Sequence, residues 1–428
     1  MLDIKLLRSE KELVEKKLQS KDPSIDLAPV LSLDEKIRTL KVKSEQLKAE
    51  RNHHSKQIGE YKRTKQDAST AMQEVARIGD EITTLDATLA SLESELADRL
   101  SHLPNLPEDG IRSSLDPKDN VCIKTFGEKP VFPFPLKNHV ELNDRLHLFD
   151  FKRGAKVAGS GWSVYRGLGA QLEWALLQFM IDVQIENGFE LILPPLLVRP
   201  EILYGSGQLP KFEKQVFKLD DPDYPLFLIP TSEVALNGLY FDEIFREEEL
   251  PKKFTAYTPC FRREAGAAGA QERGLIRMHQ FNKVEMFAFT TPMQSNDIFQ
   301  EMLESAEQIL QALHIHYRSM LLVTGDMSFA AAKTIDLEVW LPGQNGYKEV
   351  SSVSHCTDYQ ARRSKIRYKH KDDKPEFVHT LNGSGLATSR LMVALLENNQ
   401  REDGSVALPL VLHKYMNGIK ELVPDGPL

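Results

Sequence analysis

Two seams of regularly spaced residues near the start of the chain constrain its fold more than any other feature. The first seam, in alternating steps of 4 and 3 residues, comprises Leu33, Ile37, Leu40, Ser44, Leu47, Arg51, His54, Ile58 and Tyr61. The second comprises Val75, Ile78, Ile82, Leu85, Leu89, Leu92 and Leu96, followed by Leu103. The polar segment GEYKRTKQDAS separates them. Heptad spacing on both sides of a short polar break predicts an antiparallel coiled-coil hairpin.

The two predicted helices carry opposite charge. Residues 34–65 contain ten Lys or Arg and five Asp or Glu, a net charge of +5. Residues 66–103 contain two Arg and eight Asp or Glu, a net charge of −6. The opposite charges are sufficient to explain why the helices pair, but Lys62, Arg63 and Lys65 lie at the predicted tip. A merely solvated coiled coil and an arm that binds a phosphate backbone are both consistent with this pattern.

The composition indicates a globular protein of the cytoplasm. Hydrophobic residues make up 41% of the 428 residues, which is enough for a sizeable core. No apolar run approaches the roughly 18 residues that span a bilayer, and the N-terminus lacks the features of a signal peptide. Cys122, Cys260 and Cys356 are too far apart for a CxxC pair, and His355 lacks further ligands at zinc spacing. The net charge of −8 means that any nucleic-acid contact must come from a local basic patch.

The chain divides into three parts by pattern. We predict an N-terminal helical domain over residues 1–103, a linker over 104–120 that is rich in proline, glycine and charge, and a mixed domain over 121–428. In the last part, LGAQLEWALLQFMIDVQIENG predicts a helix ended by Gly188, and TIDLEVWLP alternates as a strand does. About 40 residues follow Arg390, so we expect no separate C-terminal domain.

A predicted β-hairpin carries the first set of candidate site residues. In TAYTPCFRREAGAAGAQERGLIRMHQFNKVEMFAFTT, two strand-like runs flank a Gly/Ala loop. Strand alternation places Arg262 and Glu264 on one face and Arg263 on the other. The return strand places Phe281, Lys283, Glu285, Phe287 and Phe289 on a common face. Such charges are costly to bury without a ligand, and a guanidinium suits a carboxylate or phosphate, but an exposed ion-paired face is an equally good interpretation.

Three further segments contain groups suited to an anion, a metal or a polar ligand. TLNGSGLATSR predicts a GxG loop before a helix with Arg390, which is either an anion site or a cap and turn. YKEVSSVSH offers Glu349, Ser351 and Ser352 as oxygen ligands for Mg²⁺, or is simply a hydroxyl-rich strand. Glu349 and Ser352 can share a face only across a bulge or turn. LFLIPTSEVALNGLY places Thr231, Ser232 and Glu233 at a helix N-cap, which is compatible with ligand binding.

Together these segments resemble the class II aminoacyl-tRNA synthetases, and specifically the bacterial-type seryl-tRNA synthetases, over essentially the whole chain. FELILPPLLV resembles motif 1, CFRREAGAAGAQERGLIRMHQF motif 2 and NGSGLATSR motif 3, and the heptad hairpin resembles the tRNA-binding arm. The resemblance implies an α+β fold, in which an antiparallel-sheet catalytic domain follows an antiparallel α-helical coiled-coil arm. It also implies a homodimer formed through the motif 1 region and no membrane association.

The resemblance assigns roles to residues at matched positions. It implies ATP contacts from Arg262, Arg263, Glu264, Arg277, Met278, Phe281, Glu349, Val350, Ser351, Ser352 and Arg390. It implies a serine pocket formed by Thr231, Ser232, Glu233, Arg262, Glu285, Asn382 and Ser384. It implies tRNA contacts from Lys56, Lys62, Arg63 and Lys65. Mg²⁺ would be held with ATP by Glu349 and Ser352, and no zinc is expected.

The implied catalytic residues are Arg262, Glu264 and Arg390. Arg262 would contact the α-phosphate and the amino-acid carboxylate, Glu264 would read the adenine amino group, and Phe281 would stack on adenine. Glu285 would bind the serine hydroxyl. Serine would attack the α-phosphorus of ATP, and the adenylate would then acylate tRNA(Ser) and, by the same resemblance, tRNA(Sec). The motif 2 loop departs from the common pattern, because Ala267, Ala270 and Gln271 make it less polar.

Other interpretations compete with this one. Threonyl- and prolyl-type synthetases share a Thr-x-Glu segment and motif 2, but they usually carry an anticodon-binding domain after motif 3. A synthetase-like regulator that binds nucleotide without charging tRNA would not need Arg262, Glu264, Glu349 and Arg390 together. A coiled-coil scaffold is disfavoured because about three quarters of the chain lacks the heptad pattern.

Overall fold

The computed structural model describes residues 1–264, 274–371 and 373–424. Contacts divide the chain into a first unit, Met1–Pro104, and a second unit, Asn105–Leu428. The start of the predicted linker packs within the second unit, where buried Asn105 donates from Nδ2 to the carbonyl oxygens of Ala330 and Cys356 at 2.9 and 2.8 Å. The predicted boundaries at 103 and 120 stay a prediction.

The first unit is helical. Its helices are α1 (Ile4–Ser9), α2 (Lys11–Gln19), α3 (Ala28–Arg63) and α4 (Ser69–Ser101). With 36 residues, α3 is about 54 Å long at 1.5 Å per residue. Its seam residues Leu33, Ile37 and Leu47 are buried against Ile78 and Leu85 of α4. The predicted coiled-coil hairpin is therefore confirmed.

Ion pairs cross between the two long helices. Lys41 Nζ lies 2.6 Å from a Glu93 carboxylate oxygen, and Lys43 Nζ lies 2.8 Å from Glu81. These side chains lie at the surface, where solvent screens their charges, so each pair contributes little to stability. The apolar seam therefore supplies most of the pairing energy, and the opposite charges select the partner.

The second unit is built on an eight-stranded sheet. Its strands are β1 (Val121–Phe126), β4 (Glu190–Leu191), β8 (Lys252–Phe261), β9 (Gln280–Thr290), β10 (Tyr317–Leu321), β11 (Lys333–Leu341), β12 (Gly346–His355) and β15 (His379–Ala387). Their order across the sheet is β1-β10-β11-β12-β15-β9-β8-β4. Neighbours are antiparallel except β4 and β8. The mostly antiparallel sheet confirms the predicted fold class.

Short strands and helices complete the unit. The strands are β2 (Phe149–Asp150), β3 (Val164–Tyr165), β5 (Leu197–Val198), β6 (Phe227–Leu228), β7 (Ile244–Arg246), β13 (Arg367–Lys369), β14 (Glu376–Phe377), β16 (Val406–Ala407) and β17 (Glu421–Leu422). The α-helices are α5 (His139–Leu146), α6 (Phe151–Ala158), α7 (Leu168–Glu186), α8 (Pro200–Ser206), α9 (Ser232–Gly238), α10 (Ser295–Ala312), α11 (Tyr359–Ser364) and α12 (Thr388–Asn398). The 3₁₀ helices are Pro117–Asp119, Glu213–Gln215, Glu247–Glu249, Pro342–Gln344 and Leu410–Leu412. Among the described residues, no helix combines the length and apolar character needed to cross a bilayer.

The two faces of the sheet have different roles. On β9, Val284, Met286 and Ala288 point into a large apolar core that also contains side chains of α7, α10 and α12. The opposite face of β9 carries Phe287 and Phe289 in a second, aromatic core. The same face carries Phe281, Lys283 and Glu285 nearer the start of the strand, where they line an open cleft. The alternation predicted for this strand is thus confirmed, and it separates the site from the main core.

Two details of the strands matter for the site. The register of β11 and β12 shifts between Glu349 and Ser351, which leaves Val350 as an extra residue and turns Glu349 and Ser352 to the same face. This is the bulge that a joint metal contact requires. The prediction of a GxG loop was wrong, because Gly383 and Gly385 lie within β15, which runs directly into α12. Strand pairing with β9 explains this, since residues 382–384 are in register with 285–287.

Candidate active site

A cleft of about 470 Å³ lies on the polar face of the sheet. The predicted site residues that line it are Thr231, Glu233, Arg262, Glu264, Arg277, Glu285, Glu349, Ser352, Asn382 and Ser384. An adjoining hollow of about 170 Å³ shares several of these and adds Met278, Phe281, Val350 and Arg390. The structure therefore brings together residues that lie as far apart in sequence as Thr231 and Arg390.

Three residues predicted to contact serine or ATP line neither the cleft nor the hollow. Arg263 follows the end of β8, is exposed and lines neither cavity, and its backbone N–H donates to the Gln215 carbonyl oxygen at 2.9 Å. Ser232 is fully buried and accepts a hydrogen bond from the Thr258 hydroxyl at 3.1 Å. Ser351 is buried and donates to the Ser384 carbonyl oxygen at 2.5 Å. The three loop residues Ala267, Ala270 and Gln271 lie outside the described residues.

A closed network of three side chains forms one end of the cleft. Thr231 is the N-cap of α9, and its hydroxyl accepts the Glu233 backbone N–H at 3.3 Å. The same hydroxyl donates to Glu285 Oε2 at 2.9 Å and accepts from Lys283 Nζ at 2.8 Å. Lys283 and Glu285, two residues apart on β9, also form a direct ion pair. Both are almost fully buried, with 6% and 1% of their surfaces exposed.

Glu233 lies beside this network and forms no ion pair with a described residue, although the charges of Lys283 and Arg262 act on it from farther away. Its Oε1 accepts hydrogen bonds from Gln360 Nε2 at 2.6 Å and from Asn382 Nδ2 at 3.2 Å. Burial, together with the nearby Glu285 carboxylate, raises the pKa of Glu233 to about 7. Loss of hydration disfavours its charged form. An incoming cation would restore the charge, which is the behaviour expected of an ammonium-binding acid.

Arg262 occupies the centre of the cleft, just beyond the end of β8. Its Nε donates to the Pro230 carbonyl oxygen at 3.3 Å, and its guanidinium lies 5.1 Å from the centre of the Phe281 ring. These contacts orient the guanidinium and leave donors free for an anion. Glu264 and Arg277 face each other across the two sides of the hairpin, with Arg277 Nε 2.5 Å from Glu264 Oε2.

Arg390, in the first turn of α12, reaches Glu349 near the start of β12. Its Nη1 donates to the Glu349 carbonyl oxygen at 2.8 Å, and its Nε donates to the Ile276 carbonyl oxygen at 3.3 Å. The guanidinium also lies 3.4 Å from Glu349 Oε2. Arg390 therefore connects the motif 2 and motif 3 segments at the edge of the smaller hollow.

The residues beside Glu349 fit a hard cation. Glu349 and Ser352 present oxygens on one face, and Asp336 lies directly opposite Ser352 in the strand register. Asp336 Oδ1 is buried without a hydrogen-bond partner among the described residues, and burial together with Glu349 raises the pKa of this carboxyl well above its usual value. The described residues contain no cluster of three or more His, Cys, Asp or Glu able to hold a metal ion. An ion here would therefore need oxygens from a substrate, as is usual for Mg²⁺.

Sequence reasoning gave no role to three side chains that lie in the cleft or contact its residues. Strand alternation places Lys283 on the correct face but gives it no role, although its charge between Phe281 and Glu285 is a usable signal. Gln360, which donates to Glu233, comes from α11 and carries no motif of its own. Asp336 stands in an alternating strand pattern that does not distinguish it from an ordinary exposed acid.

The comparisons with known proteins decide the family. Residues 1–107 match the profile of the seryl-tRNA synthetase N-terminal domain, and residues 217–399 match the tRNA synthetase class II core domain of the G, H, P, S and T type. Serine--tRNA ligase of Chlamydia felis is 54% identical over 97% of this chain and 98% of its own length. The enzyme of Chlamydia pneumoniae is 53% identical over 99% of both chains. The chain belongs to the seryl-tRNA synthetase family.

Solved structures agree with this assignment. A seryl-tRNA synthetase from Pyrococcus horikoshii, complexed with ATP, superimposes with a TM-score of 0.94 at 37% identity, covering 99% of this chain and all of that one. The cytoplasmic serine-tRNA ligase of Naegleria fowleri, in complex with AMP, gives 0.89 at 28% identity, covering 100% and 99% of the two chains. A prolyl-tRNA synthetase from Giardia lamblia, at 17% identity and a TM-score of 0.56, shares the fold. The predicted family, fold class and serine–tRNA ligase activity are confirmed.

The predicted tRNA contacts lie in the first unit, Met1–Pro104. Lys56, Lys62 and Arg63 are on the last two turns of α3, and Lys65 follows in the turn between the long helices. All four side chains are exposed. Their positions are compatible with a phosphate backbone, and their role stays a prediction.

Proposed function

We propose that the cleft activates L-serine with ATP and transfers the seryl group to tRNA(Ser) through the residue roles given below. The pairing of charges in the cleft carries this proposal. Lys283 is paired with Glu285, Arg277 with Glu264, and Arg390 with Glu349. Among the described lining residues, this leaves Arg262 and Glu233 as a cation and an anion that form no ion pair. A free amino acid carries a carboxylate and an ammonium that complement this pair.

In the proposed complex, Glu233 binds the α-ammonium of serine, and Arg262 binds its carboxylate and the α-phosphate of ATP. Glu285 accepts a hydrogen bond from the serine hydroxyl through Oε1, which makes no hydrogen bond within the described residues. The carboxylate then attacks the α-phosphorus in line, and pyrophosphate leaves. Arg262 stabilises the charge that develops, so catalysis rests on positioning and electrostatics.

The nucleotide would lie over the smaller hollow. Phe281 offers a ring for adenine, Glu264 an acceptor for its amino group, and Arg277 and Arg390 cations for the phosphates. Glu349 and Ser352 would hold Mg²⁺, which supplies charge neutralisation at the ATP phosphates. Arg390 and Arg277 would exchange their present carboxylate partners for phosphate oxygens.

Amino-acid-dependent ATP–pyrophosphate exchange tests this proposal. L-serine is expected to stimulate exchange, whereas the other standard amino acids, including threonine, alanine and proline, are not. Stimulation by threonine or proline in preference to serine would reject the proposed pocket. Exchange with no amino acid active would favour a regulator that binds nucleotide.

The pKa of Glu233 predicts how activity depends on pH. Because this pKa is raised to about 7, the carboxyl becomes protonated as the pH falls through 7 and loses its attraction for the α-ammonium. The kcat/KM for serine in exchange, which reports the free enzyme, should fall about tenfold per unit below that pH. Glu233→Gln should have low activity without this acidic limb. An unchanged limb in the variant would assign the titration to another group.

We propose that the helical hairpin binds tRNA through Lys56, Lys62, Arg63 and Lys65. Deletion of residues 32–101 should spare serine-dependent exchange and lower kcat/KM for tRNA charging by about 10²-fold or more, since several phosphate contacts are lost. A second variant, with glutamine at all four positions, keeps the hairpin and removes only the charges. It should charge tRNA more weakly, and its charging should depend less steeply on salt concentration. Full tRNA charging by the protein that lacks residues 32–101 would show that the hairpin has only a structural role.

Self-association through the motif 1 region and charging of tRNA(Sec) extend the proposal. Exposed apolar side chains cluster in sequence around this motif, including Ile185, Leu193 and Leu197, which are 47%, 77% and 38% exposed. Such side chains favour a protein interface. Sedimentation of the intact chain and charging assays with purified tRNA(Ser) and tRNA(Sec) test these two points, and the cytoplasm is the proposed location.

A further inference from the structure

We propose that Lys283 is a specificity residue, whose charge makes the side-chain end of the pocket accept a neutral hydroxyl and reject a cationic amine. The inference rests on the proposed binding of serine next to Glu285. It concerns the chemical class of the substrate side chain that the pocket accepts. Glu285 alone would favour an amine over the serine hydroxyl.

A buried carboxylate by itself favours a cation over a hydroxyl. Glu285 is 1% exposed, and its charge must be compensated to remain in that environment. A substrate ammonium would provide such compensation more strongly than a hydroxyl would, because hydrogen bonds between two charged groups are stronger. A pocket with Glu285 alone would therefore prefer L-2,3-diaminopropionate, in which an amine replaces the serine hydroxyl.

Lys283 removes this preference because it already neutralises Glu285. The two side chains form an ion pair on the same face of β9, and Thr231 completes the network by donating to Glu285 and accepting from Lys283. Thr231 is itself held by the backbone of α9. The ammonium of Lys283 is thus fixed next to the acid, where a second ammonium from the substrate would meet a like charge. Like charges placed together in an interface cost several kcal/mol.

The second acid of the pocket supports the assignment. Glu233 forms no ion pair with a described residue, and its Oε1 is held by two amide donors, Gln360 and Asn382. The pocket therefore contains one acid left available for the α-ammonium and one acid already paired. Lys283 creates this difference, which fixes the orientation of the amino acid as well as its class.

The test compares L-serine and L-2,3-diaminopropionate in ATP–pyrophosphate exchange with the full-length enzyme. In Lys283→Met, the ratio of kcat/KM for diaminopropionate to that for serine should rise by about 10²-fold or more relative to wild type. Lys283→Arg is the matched control, because it keeps the positive charge, and it should continue to reject diaminopropionate whatever activity it retains with serine. Binding of ATP and the melting temperature show whether each variant is folded.

Two results would overturn the inference. The first is a folded, ATP-binding Lys283→Met variant in which the ratio of kcat/KM for diaminopropionate to that for serine is unchanged, or which activates neither amino acid. The second is a Lys283→Arg variant that accepts diaminopropionate as well as the Lys283→Met variant does. If Lys283→Met does not fold, inhibition of the wild-type enzyme by diaminopropionate tests the inference. Diaminopropionate should then inhibit serine-dependent exchange with a Ki at least about 10²-fold above the KM for serine, and equal values would reject the proposal. Absence of serine-dependent exchange in the wild type would instead reject the proposed function itself.

Discussion

Replacement of Arg262 by alanine is expected to lower the rate of seryl-adenylate formation by about 10²–10³-fold, the usual cost of removing one preorganised charge-stabilising donor. Of the cations that line the described cleft, Arg262 is the one without a carboxylate partner, so its charge is available to the substrate. Its contacts with the Pro230 carbonyl oxygen and the Phe281 ring hold it in place before the substrate binds. The guanidinium therefore needs little reorientation when the substrate binds.

Single-turnover formation of the adenylate is the direct measurement, since it separates chemistry from product release. Arg263→Ala is the matched control, because the neighbouring arginine has the same charge and does not line the cleft. It should retain nearly full activity. Equal losses in the two variants would mean that the general positive potential, and not the position of Arg262, supports the reaction.

The architecture could be predicted where periodicity determines which side chains are buried. The heptad steps from Leu33 to Tyr61 place the apolar residues on one face of a helix. The alternation of Ile335, Leu337 and Val339 places these residues on one face of a strand. Alternation also predicts that Arg262 and Arg263 point to opposite faces. In the structure both residues follow the end of β8 at Phe261, and Arg262 lines the cleft whereas Arg263 does not. Alternation further sets the condition for Glu349 and Ser352 to share a face, and the bulge at Val350 meets that condition.

The pairing of charges could not be predicted from these patterns. The partners of Glu285 come from its own strand and from the N-cap of α9, and those of Glu233 come from α11 and β15. Such contacts depend on tertiary packing between elements far apart in the sequence, for which one sequence holds no periodic signal. The GxG segment shows the same limit. Its glycines indicate a loop locally, whereas Gly383 pairs with Met286 of β9 and Gly385 follows within the same strand.

Glu285→Ala is expected to abolish the selectivity for serine over alanine. A pocket whose buried groups must hydrogen-bond a substrate hydroxyl can reject the analogue without it by about 10⁴–10⁵-fold, because the analogue leaves those groups unpaired. Without the carboxylate, neither substrate gains or loses that hydrogen bond. The ratio of kcat/KM for serine to that for alanine, measured by pyrophosphate exchange, should therefore approach unity.

The Glu285→Ala variant also leaves the buried Lys283 without its ion-pair partner, which by itself costs stability and activity. Glu285→Gln separates the two effects, since it has nearly the same shape and an oxygen that can still accept from the serine hydroxyl, but no charge for Lys283. It should lose activity yet retain much of the preference for serine. If both variants discriminate against alanine as the wild type does, the hydroxyl is read elsewhere in the cleft. If the glutamine variant loses selectivity as completely as the alanine variant, recognition requires the charge of Glu285, and the orientation that Lys283 imposes on it, and not merely its acceptor oxygen.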